Sequence, residues 1–291
     1  MRLPQVELAI IGGSGINRIK GAKVIRVISK NDLRGPFGLP SNDIYIVEIF
    51  GRTVALLLRH SVGHIINPTT VPYRANAYAL AMLGVRIVVA VSACGVLKQE
   101  IEIGVLTVPN QLVDFTKHRT RTLFNEKGLV IHVSMANPFC NSTRIELIEA
   151  VEKAGLPVND KATYITIEGP QYSTKAESKI FASWNCDIIG MTTSPEAHLM
   201  REAGICYVVL AMPTDHDAGL GDMYKPVDGD EVLKTFNANI VKVQLVLPIF
   251  IRGCVVINCD CHHAVEKGIH TDSKYIPHDQ RKILETLTRK I

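Results

Sequence analysis

The hydrophobic and polar positions along the chain alternate between two patterns. Short apolar runs rich in Val and Ile, as buried strands have, end in glycine or polar turns. Between them lie longer segments in which apolar residues recur every three or four positions, the period of an amphipathic helix. The strands predicted in this way are 6–11, 44–49, 53–58, 86–91, 105–109, 112–115, 162–167 and 205–212. Strands and helices that alternate along the chain predict an α/β fold.

Capping residues and glycines mark where the predicted helices begin and end. Thr174 and Glu177 have the spacing of a capping box, and Ser194 and Pro195 suit the cap and first turn of the next helix. The predicted helices are 70–83, 145–154, those that begin at Thr174 and Ser194, 228–243, 264–269 and 279–289. No repeat, low-complexity tract or linker interrupts this series, so we expect a single domain over residues 1–291.

Composition and charge narrow the class of protein. The chain has 291 residues, of which 47% are hydrophobic and 21% charged, so it is long and apolar enough to bury a large core. Its formal net charge of +4 is spread along the chain without a basic stripe, which argues against nucleic-acid binding. The most apolar stretch, 245–257, is interrupted by Pro248 and Arg252 and is too short to span a membrane. Because the N-terminus also lacks a signal-peptide layout, we expect a cytoplasmic protein.

Polar side chains follow directly after several predicted strands. Ligands of open α/β sheets bind outside the carboxyl ends of the strands, so these side chains are candidates for one site. The glycines of GGSG after the first strand suit an anion cradle or a plain tight turn. The guanidinium of Arg59, at the edge of the core, suits a bidentate contact with an anion. The polar residues in such positions are Ser14, Arg59, His60, Ser92, Glu168, Asp215 and Asp217.

His60 and His64 have an H-x3-H spacing that would suit a metal ion if both lay on one helix. Here Ser61, Gly63 and Pro68 predict a loop, and no carboxylate or cysteine lies nearby in the sequence. We therefore expect His60 to hydrogen-bond beside a bound anion such as phosphate rather than to ligate a metal.

Asp215 and Asp217 alternate at the end of the last predicted strand. An Asp-rich turn is the plain interpretation. The alternative is a functional pair, in which one carboxyl group donates a proton while the other accepts hydrogen bonds. Such a pair requires that burial separates the two pKa values.

Six motifs in a fixed order extend this pattern: GGSG, RHSVGH with VPYRAN, VSACG, TIEGPQYSTKAES, GMTTSPEAHLMREAGICY and PTDHD. Over residues 5–247 the set resembles the purine nucleoside phosphorylase and methylthioadenosine phosphorylase family, most of all its methylthioadenosine-specific members. The resemblance implies a mixed central β-sheet flanked by helices, and homotrimers or dimers of trimers. It also implies inorganic phosphate as co-substrate and neither a metal nor an organic cofactor.

The reaction that the resemblance implies is phosphorolysis of S-methyl-5′-thioadenosine to adenine and 5-methylthioribose 1-phosphate. The alternative within the family is a purine nucleoside phosphorylase that acts on adenosine, on 6-oxopurine nucleosides or on methylthioinosine. A 6-amino purine is favoured because the carboxylate of Asp217 would accept a hydrogen bond from the exocyclic amine.

The resemblance also implies roles for individual residues. Asp215 would serve N7 of the purine and Asp217 the exocyclic amine, as the catalytic pair. Phosphate would be bound by Ser14, Arg59, His60, Ser92 and Thr192. The nucleoside would be contacted by Ala93, Tyr172, Ser173, Met191 and His64, and His132 would reach the 5′ end of a neighbouring subunit's substrate.

Among the positions that depart from the family pattern, three leave the 5′ and base specificity open. Pro213 and His216 replace the usual residues around the two aspartates, and His216 could shift the pKa values of both carboxyl groups. Gly229 stands where we expect an apolar residue that packs on the methylthio group. The residues that could compensate for Gly229 are Met223, Val227 and Val232.

The densest run of metal-binding residue types is CDCHH at 259–263, among seven cysteines in the chain. As a metal site this run has too little chain between its residues for ordinary tetrahedral geometry. The resemblance implies instead a disulfide between Cys259 and Cys261, within a C-terminal extension over residues 253–291.

Two hypotheses from other functional classes remain. The departures near the aspartates are compatible with a protein that binds nucleosides or phosphate without catalysis. The CxC pair is compatible with a thiol oxidoreductase. If Cys140, Cys206 and Cys254 also formed disulfides, a thermophilic source would follow as a further hypothesis, because cytosolic disulfides are otherwise rare.

Overall fold

The structure, a computed structural model, describes residues 3–13, 19–218, 220, 223–224 and 229–288, with Glu231 as backbone alone. Ser14 and Val227, both singled out from the sequence, lie outside the described residues. The described residues include the eleven strands of one sheet, which contains parallel and antiparallel pairs. The strands are β1 Leu8–Gly12, β2 Lys23–Ile28, β3 Ile44–Ile49, β4 Arg52–Leu58, β5 Ile87–Val96, β6 Leu106–Thr107, β7 Gln111–Phe115, β8 Val158–Asn159, β9 Thr163–Ile167, β10 Ile188–Gly190 and β11 Cys206–Asp215.

The main path of the sheet has the order β2-β3-β4-β1-β5-β10-β9-β7, and β11 branches from it, pairing with β5 and β6. Helices flank the sheet, so the predicted α/β class and the mixed sheet are confirmed. The helices are α1 Tyr73–Met82, α2 Asn141–Lys153, α3 Lys175–Ser183, α4 Thr193–Glu202, α5 Gly229–Gly253, α6 Ala264–Gly268 and α7 His278–Leu287.

The central strands bury both of their faces. In β1, Ala9 and Ile11 pack in the cluster that contains α1, α4 and α7. Leu8 and Ile10 point to the other face and pack with α2 and α5. Successive strand residues face opposite sides of a sheet, and a strand buried on both sides has a continuous apolar sequence. The uninterrupted apolar runs of the sequence therefore correspond to the middle of the sheet.

Helix ends follow the local signals in most places. Thr174 and Glu177 form the predicted capping box, with the Glu177 N–H 3.2 Å from Thr174 Oγ1 and the Thr174 N–H 2.8 Å from Glu177 Oε2. Helix α1 is an exception, because it begins at Tyr73 and not at the predicted Thr70. Pro72 explains the difference, since a proline disfavours helical backbone in the residue before it.

Strand β5 changes partners along its length. Its first part, residues 87–90, pairs in parallel with β1, whereas residues 95–96 pair in antiparallel with β10. Along its other edge β5 pairs with β11 from Cys206 to Asp215. No residue of β1 or β10 pairs with residues 91–94, so the sheet opens on that side. Crevices at such changes of strand partner are where ligands bind in α/β sheets.

Helix α5 runs for 25 residues and includes Pro248. Proline removes one helical hydrogen bond and usually kinks a helix, yet α5 continues past Pro248 to Gly253. The apolar stretch at 245–257 is therefore helical on both sides of Pro248, as far as Gly253, although the sequence indicated an interruption at the proline. None of the helices in the described part of the chain has both the length and the hydropathy needed to cross a bilayer.

Candidate active site

A cavity of about 570 Å³ opens where β5 changes partners. Its walls come from β5, β10, β11 and α5, and from the loops that follow β4 and β9. The structure thereby brings together residues that are far apart in the sequence. The lining residues that the sequence singled out are Arg59, His60, His64, Ser92, Ala93, Tyr172, Met191, Thr192, Asp215, Asp217, Gly229 and Val232.

Hydroxyl groups cluster in the part of the cavity formed by Ser92. The Ser92 Oγ atom lies 3.2 Å from Thr192 Oγ1 and 3.3 Å from the Tyr164 hydroxyl. Ser92 lies inside β5, which continues to Val96, and not after the strand as the sequence predicted. A strand position fixes the direction of its side chain more firmly than a loop does, and both Ser92 and Thr192 are buried.

Arg59 forms a bidentate ion pair with a partner that the sequence did not indicate. Its Nε lies 2.5 Å from Glu196 Oε1 and its Nη2 3.0 Å from Glu196 Oε2, while Nη1 donates to the Val91 carbonyl at 3.2 Å. Burial opposes the charge of Arg59, but the Glu196 carboxylate outweighs burial, and the pKa of Arg59 is raised. The predicted bidentate contact is therefore made to a protein carboxylate. Two of the five guanidinium N–H groups remain for a ligand.

His60 is a neutral ring beside this arginine. Burial, and then the positive charge of Arg59, lower the pKa of His60 to about 4. Its Nδ1 lies 2.8 Å from the Ile66 carbonyl, so a neutral ring donates there and presents Nε2 as an acceptor. The ring stacks on His64 with 4.4 Å between centroids.

The Asp215 carboxyl group is held by two donors. Its Oδ1 accepts the Asp217 N–H at 2.8 Å, and its Oδ2 lies 2.7 Å from Thr214 Oγ1. Burial raises the pKa of Asp215 to about 6, although both hydrogen bonds oppose the rise. A carboxyl group with this pKa is protonated often enough near neutral pH to act as an acid.

Asp217 differs from Asp215 in having an oxygen atom without a partner. The side chain is 3% exposed, and burial raises its pKa. Hydrogen bonds from Ser178 and from the Ala218 N–H to the carboxyl group oppose this rise, and its Oδ2 atom has no partner among the described residues. The residue has a φ of 46°, a left-handed conformation that Asp tolerates better than most residues. A buried acceptor without a partner is costly, so this oxygen suits a donor supplied by a ligand.

Pro213 and His216, which depart from the family pattern, lie on either side of Asp215 in the sequence. The pairing of β11 with β5 shifts register between Pro213 and Asp215, and prolines are found at such irregularities. The shift aims Asp215 at the cavity. The ring of His216 stacks on Tyr224 at 3.8 Å, and burial lowers its pKa. Burial is the main cause of the raised pKa values of Asp215 and Asp217, and the expected effect of His216 on them stays a prediction.

Gly95 lies beneath both aspartates. A Cβ atom at this position would come within 3.0 Å of Asp215 Oδ1 and 3.2 Å of the Asp217 Cβ. The glycine of the VSACG motif therefore leaves room for the carboxyl groups. Nothing in the sequence pattern showed this contact, because Gly95 and the aspartates meet only through strand pairing.

The first half of α5 forms an apolar wall of the cavity. Val232, Leu233, Phe236 and Ile240 recur at helical spacing and line it, whereas Gly229 faces open space. Val232, one of the residues that could compensate for the missing side chain at Gly229, is therefore part of the lining, and its compensating role stays a prediction. Met223 is 63% exposed and is not part of the lining.

Arg119 fixes two of the loops that shape the cavity. Its side chain is 2% exposed and pairs with Glu168 at 3.0 Å. It also donates to the carbonyls of Met191, at 2.5 Å, and Ser194, at 2.8 Å. Glu168, which the sequence placed among the site candidates, does not line the cavity; it accepts the Lys117 and His118 N–H groups. Arg119 and Glu168 are positioning residues that hold the segments on either side of Thr192.

The remaining predicted contacts divide between the cavity and its surroundings. Tyr172 and Met191 line the cavity, and Tyr172 is 57% exposed at its mouth. Ser173 has a buried hydroxyl but does not line the cavity. His132 lies outside the cavity of its own chain, with its ring centroid 4.9 Å from that of His270.

All seven cysteines are free thiols in the structure, so it does not contain the predicted disulfide between Cys259 and Cys261. Both residues instead lie with Cys140 and Cys206. Of the histidines in the CDCHH run, His262 contacts the Gly204 carbonyl through Nδ1 at 2.8 Å, and its Nε2 lies 3.8 Å from Cys206 Sγ. His263 points elsewhere and contacts Asn258 and Glu266.

Comparison with known proteins assigns a family to this fold and cavity. A sequence model of the phosphorylase superfamily matches residues 7–252. Since this match covers most of the chain, the protein belongs to the phosphorylase superfamily.

Named relatives narrow the family further. The chain is 42% identical over 247 residues to the S-methyl-5′-thioadenosine phosphorylase of Hyperthermus butylicus, covering 84% of this chain and 86% of that protein. It is 44% identical over 241 residues to the S-methyl-5′-thioadenosine phosphorylase of Pyrococcus abyssi, covering 83% and 90%. A methylthioadenosine phosphorylase from an Antarctic soil metagenomic library superposes with a TM-score of 0.90 at 38% identity, covering 97% and 99%. The methylthioadenosine phosphorylase of Schistosoma mansoni in complex with adenine gives 0.80 at 34%, covering 85% and 91%.

Proposed function

We propose that the protein catalyses the phosphorolysis of S-methyl-5′-thioadenosine. An oxygen of inorganic phosphate forms a bond to C1′ as the C1′–N9 bond breaks, giving 5-methylthioribose 1-phosphate and adenine. The observation that carries this proposal is one cavity that holds both the Arg59–Ser92–Thr192 cluster and the Asp215–Asp217 pair. The relatives named above, and the adenine bound to the Schistosoma mansoni protein, support the nucleoside class.

The two groups are spaced to suit one nucleoside. Asp215 pairs with Gly95, three residues further along β5 than Ser92. At 3.3 Å per residue this is roughly 10 Å along the strand. A phosphate, a ribose carbon and the imidazole edge of a purine fit between side chains so separated.

Phosphate is held by neutral donors and one cation. Ser92 and Thr192 offer hydroxyl groups, and Arg59 offers its two remaining N–H groups. Neutral His60 accepts through Nε2, which suits the P–OH group of monoprotonated phosphate. Ser14 is proposed from the resemblance alone. Fixing the nucleophile in line with C1′ lowers the entropic part of the barrier.

The leaving base is assisted by Asp215. As the C1′–N9 bond breaks, C1′ becomes oxocarbenium-like and electrons move onto the purine. Asp215, whose pKa is raised to about 6, donates its proton to N7 so that adenine leaves as a neutral molecule. Asp217 Oδ2 accepts from the exocyclic amine, which favours a 6-amino purine. Every group that this mechanism requires is a side chain or the phosphate, so the proposal includes no metal and no organic cofactor.

The 5′ methylthio group packs against the wall formed by α5. Val232, Leu233 and Phe236 are apolar and lie on one side of the cavity. A thioether loses little by leaving water and gains contact with such side chains. The open space at Gly229 gives this group room.

We also propose that the protein is a homotrimer or a dimer of trimers in the cytoplasm and that its products enter purine and methionine salvage. Val62 and Ile65, beside His64 at the cavity, are 59% and 78% exposed, which favours cover by a second subunit. Light scattering on the purified protein should give three or six times the chain mass. A monomer would contradict this proposal, as would a His132→Ala variant with unchanged KM for S-methyl-5′-thioadenosine.

A side-by-side assay tests the reaction. Purified protein is given S-methyl-5′-thioadenosine, adenosine, inosine or methylthioinosine, with and without inorganic phosphate, and the free base and sugar phosphate are measured by chromatography. We expect adenine and 5-methylthioribose 1-phosphate in equal amounts, only with phosphate present, and the highest kcat/KM for S-methyl-5′-thioadenosine. Release of base without phosphate, or inosine as the best substrate, would contradict the proposal.

The same assay separates the proposal from the two other functional classes. A protein that only binds nucleosides would release no base. A thiol oxidoreductase would not depend on phosphate, and its activity would be lost in Cys259→Ser, whereas phosphorolysis should persist in that variant.

A further inference from the structure

Four cysteine sulfurs come together on the sheet face that packs with α2 and α5, away from the mechanism described above. The Sγ atoms of Cys140, Cys206, Cys259 and Cys261 all lie within 4.8 Å of one another. They come from three segments: the residue before α2, the first residue of β11, and the chain after α5. Three of the four side chains are buried, and Cys259 is half-buried.

The sulfurs lie close enough together for a tetrahedral metal site. Four thiolates around Zn²⁺ at about 2.3 Å place their sulfurs about 3.8 Å apart. The Cys140 and Cys259 sulfurs are 3.7 Å apart. A disulfide requires about 2.05 Å. The CDCHH run alone has too little chain between its residues for a tetrahedral site, but folding adds Cys140 and Cys206 to its two cysteines.

Hydrogen-bond donors surround the sulfurs, as they do in metal–thiolate sites. Arg201 Nη1 donates to Cys261 Sγ at 3.1 Å, and Thr143 Oγ1 donates to Cys140 Sγ at 3.4 Å. Cys140 also occupies the N-terminal cap of the 13-residue helix α2, where the helix dipole favours negative charge. These contacts stabilise thiolate sulfur, the form that binds a metal.

Backbone contacts hold the cluster together before any metal binds. The Cys140 N–H donates to the Tyr207 carbonyl at 3.0 Å, which joins the α2 cap to β11. A Cβ atom at Gly204 would lie 3.2 Å from the His262 carbonyl, so glycine permits the C-terminal segment to approach β11 closely. The ligand-bearing segments are therefore in place.

We propose that Cys140, Cys206, Cys259 and Cys261 form a structural zinc site. Four protein ligands leave no coordination position open, which is typical of structural rather than catalytic zinc. The ion would fasten the C-terminal segment to the start of β11, the strand whose other end carries Asp215. This site takes the place of the Cys259–Cys261 disulfide implied by the resemblance.

Metal analysis of the full-length protein tests the proposal directly. The protein is purified with its affinity tag removed and its thiols kept reduced, and metals are quantified by mass spectrometry. We expect about one zinc per chain and an X-ray absorption spectrum with four sulfurs at about 2.3 Å. Cobalt substitution should give the visible absorption of a tetrahedral thiolate site. Zinc below about a tenth per chain, iron in its place, a nitrogen or oxygen shell, or disulfides among these four cysteines would overturn it.

Two variants and a matched control assign the ligands. Cys206→Ser and Cys259→Ser should each lower the bound zinc at least tenfold, and hydrogen exchange should accelerate across residues 253–268. Cys259 is the most exposed of the four, so its variant disturbs folding least. Cys186→Ser, at a buried cysteine in a separate apolar cluster, should keep its zinc. Equal zinc content in all three variants would contradict the assignment.

Discussion

The carboxyl group of Asp215 is placed so that its proton can be given up and regained near neutral pH. Burial raises its pKa to about 6, while Thr214 and the Asp217 N–H hold both oxygens. Thr214 Oγ1 also lies 3.1 Å from the Cys94 carbonyl. When Asp215 is protonated, the Thr214 hydroxyl can turn its single proton to that carbonyl. The surroundings thus accept either protonation state of the acid.

Asp215→Asn should lower kcat/KM for S-methyl-5′-thioadenosine about 100-fold or more, since an amide cannot give a proton to N7. The wild-type protein needs Asp215 protonated, and in the ligand-free protein this carboxyl group loses its proton above about pH 6. The ratio of the wild-type kcat/KM to that of the variant should therefore fall about tenfold for each pH unit above about 6. Initial rates measured across pH for both proteins give the ratio of kcat/KM values. This ratio cancels the ionisation of phosphate itself, and a ratio independent of pH would refute the role of Asp215.

Asp217→Asn should change the base preference. An amide can donate to a 6-oxo purine, where the carboxylate can only accept from a 6-amino purine. With about 1–3 kcal/mol for a mispaired buried polar group, the preference for S-methyl-5′-thioadenosine over methylthioinosine should fall by about 5- to 150-fold. Competition between the two substrates in one reaction measures this ratio. An equal loss on both substrates would show that Asp217 does not read the 6-position.

At the scale of elements, the site depends on the junction of β5, β10 and β11. The shift of register between Pro213 and Asp215 aims the acid, and the loss of strand partners beside residues 91–94 opens the space. Gly95 lies at this junction, and an added Cβ atom would come within 3.0 Å of Asp215 Oδ1 and 3.1 Å of the Ile189 side chain.

Gly95→Ala should therefore reduce activity at least about tenfold, because the added methyl group must displace Asp215, Asp217 or Ile189. Overpacking of this kind costs about 1–3 kcal/mol of stability. Gly253→Ala is the matched control, since a Cβ atom added at Gly253 would meet no other atom within 4 Å. Kinetics and urea unfolding of both variants test this, and a Gly95→Ala variant as active as the control would contradict it.

Arg119→Gln should destabilise the protein by about 3 kcal/mol and raise the KM for phosphate, because it breaks a buried ion pair and frees the segments beside Thr192. Arg121→Gln is the control: Arg121 is 58% exposed in its pair with Asp114, and exposed pairs contribute at most about 1 kcal/mol. Urea unfolding at equal protein concentration compares the two. Equal shifts would show that Arg119 is no positioning residue.

Local sequence signals predicted the elements whose ends are marked by residues close to them in the sequence. The strands predicted at 44–49 and 53–58, which form β3 and β4, and the capping box at Thr174 are such cases. Strand β10 was not predicted, because its three residues depend on pairing with β5 and β9. Strand β2 was also missed, since its exposed Val24 and Val27 lie on the edge of the sheet and lack the continuous apolar run of a central strand.

At the scale of the whole molecule, the sequence predicted side chains of the site better than their partners. Arg59, His60 and Asp215 follow or end apolar runs, and such a position can be recognised from the sequence alone. Glu196 and Tyr164 reach the site only because α4 packs on β11 and β9 pairs with β10, so no local signal marks them. The same holds for the four-cysteine cluster, in which 119 residues separate Cys140 from Cys259.

The proposed mechanism requires that one cavity holds an oxyanion and the base of the same nucleoside. A crystal structure with S-methyl-5′-thioadenosine and sulfate, a stand-in for phosphate, tests it most directly. We predict sulfate oxygens about 3 Å from Ser92 Oγ, Thr192 Oγ1 and an Arg59 nitrogen, with purine N7 at the same distance from Asp215. A sulfate bound elsewhere, or a purine that contacts neither Asp215 nor Asp217, would rule out this mechanism.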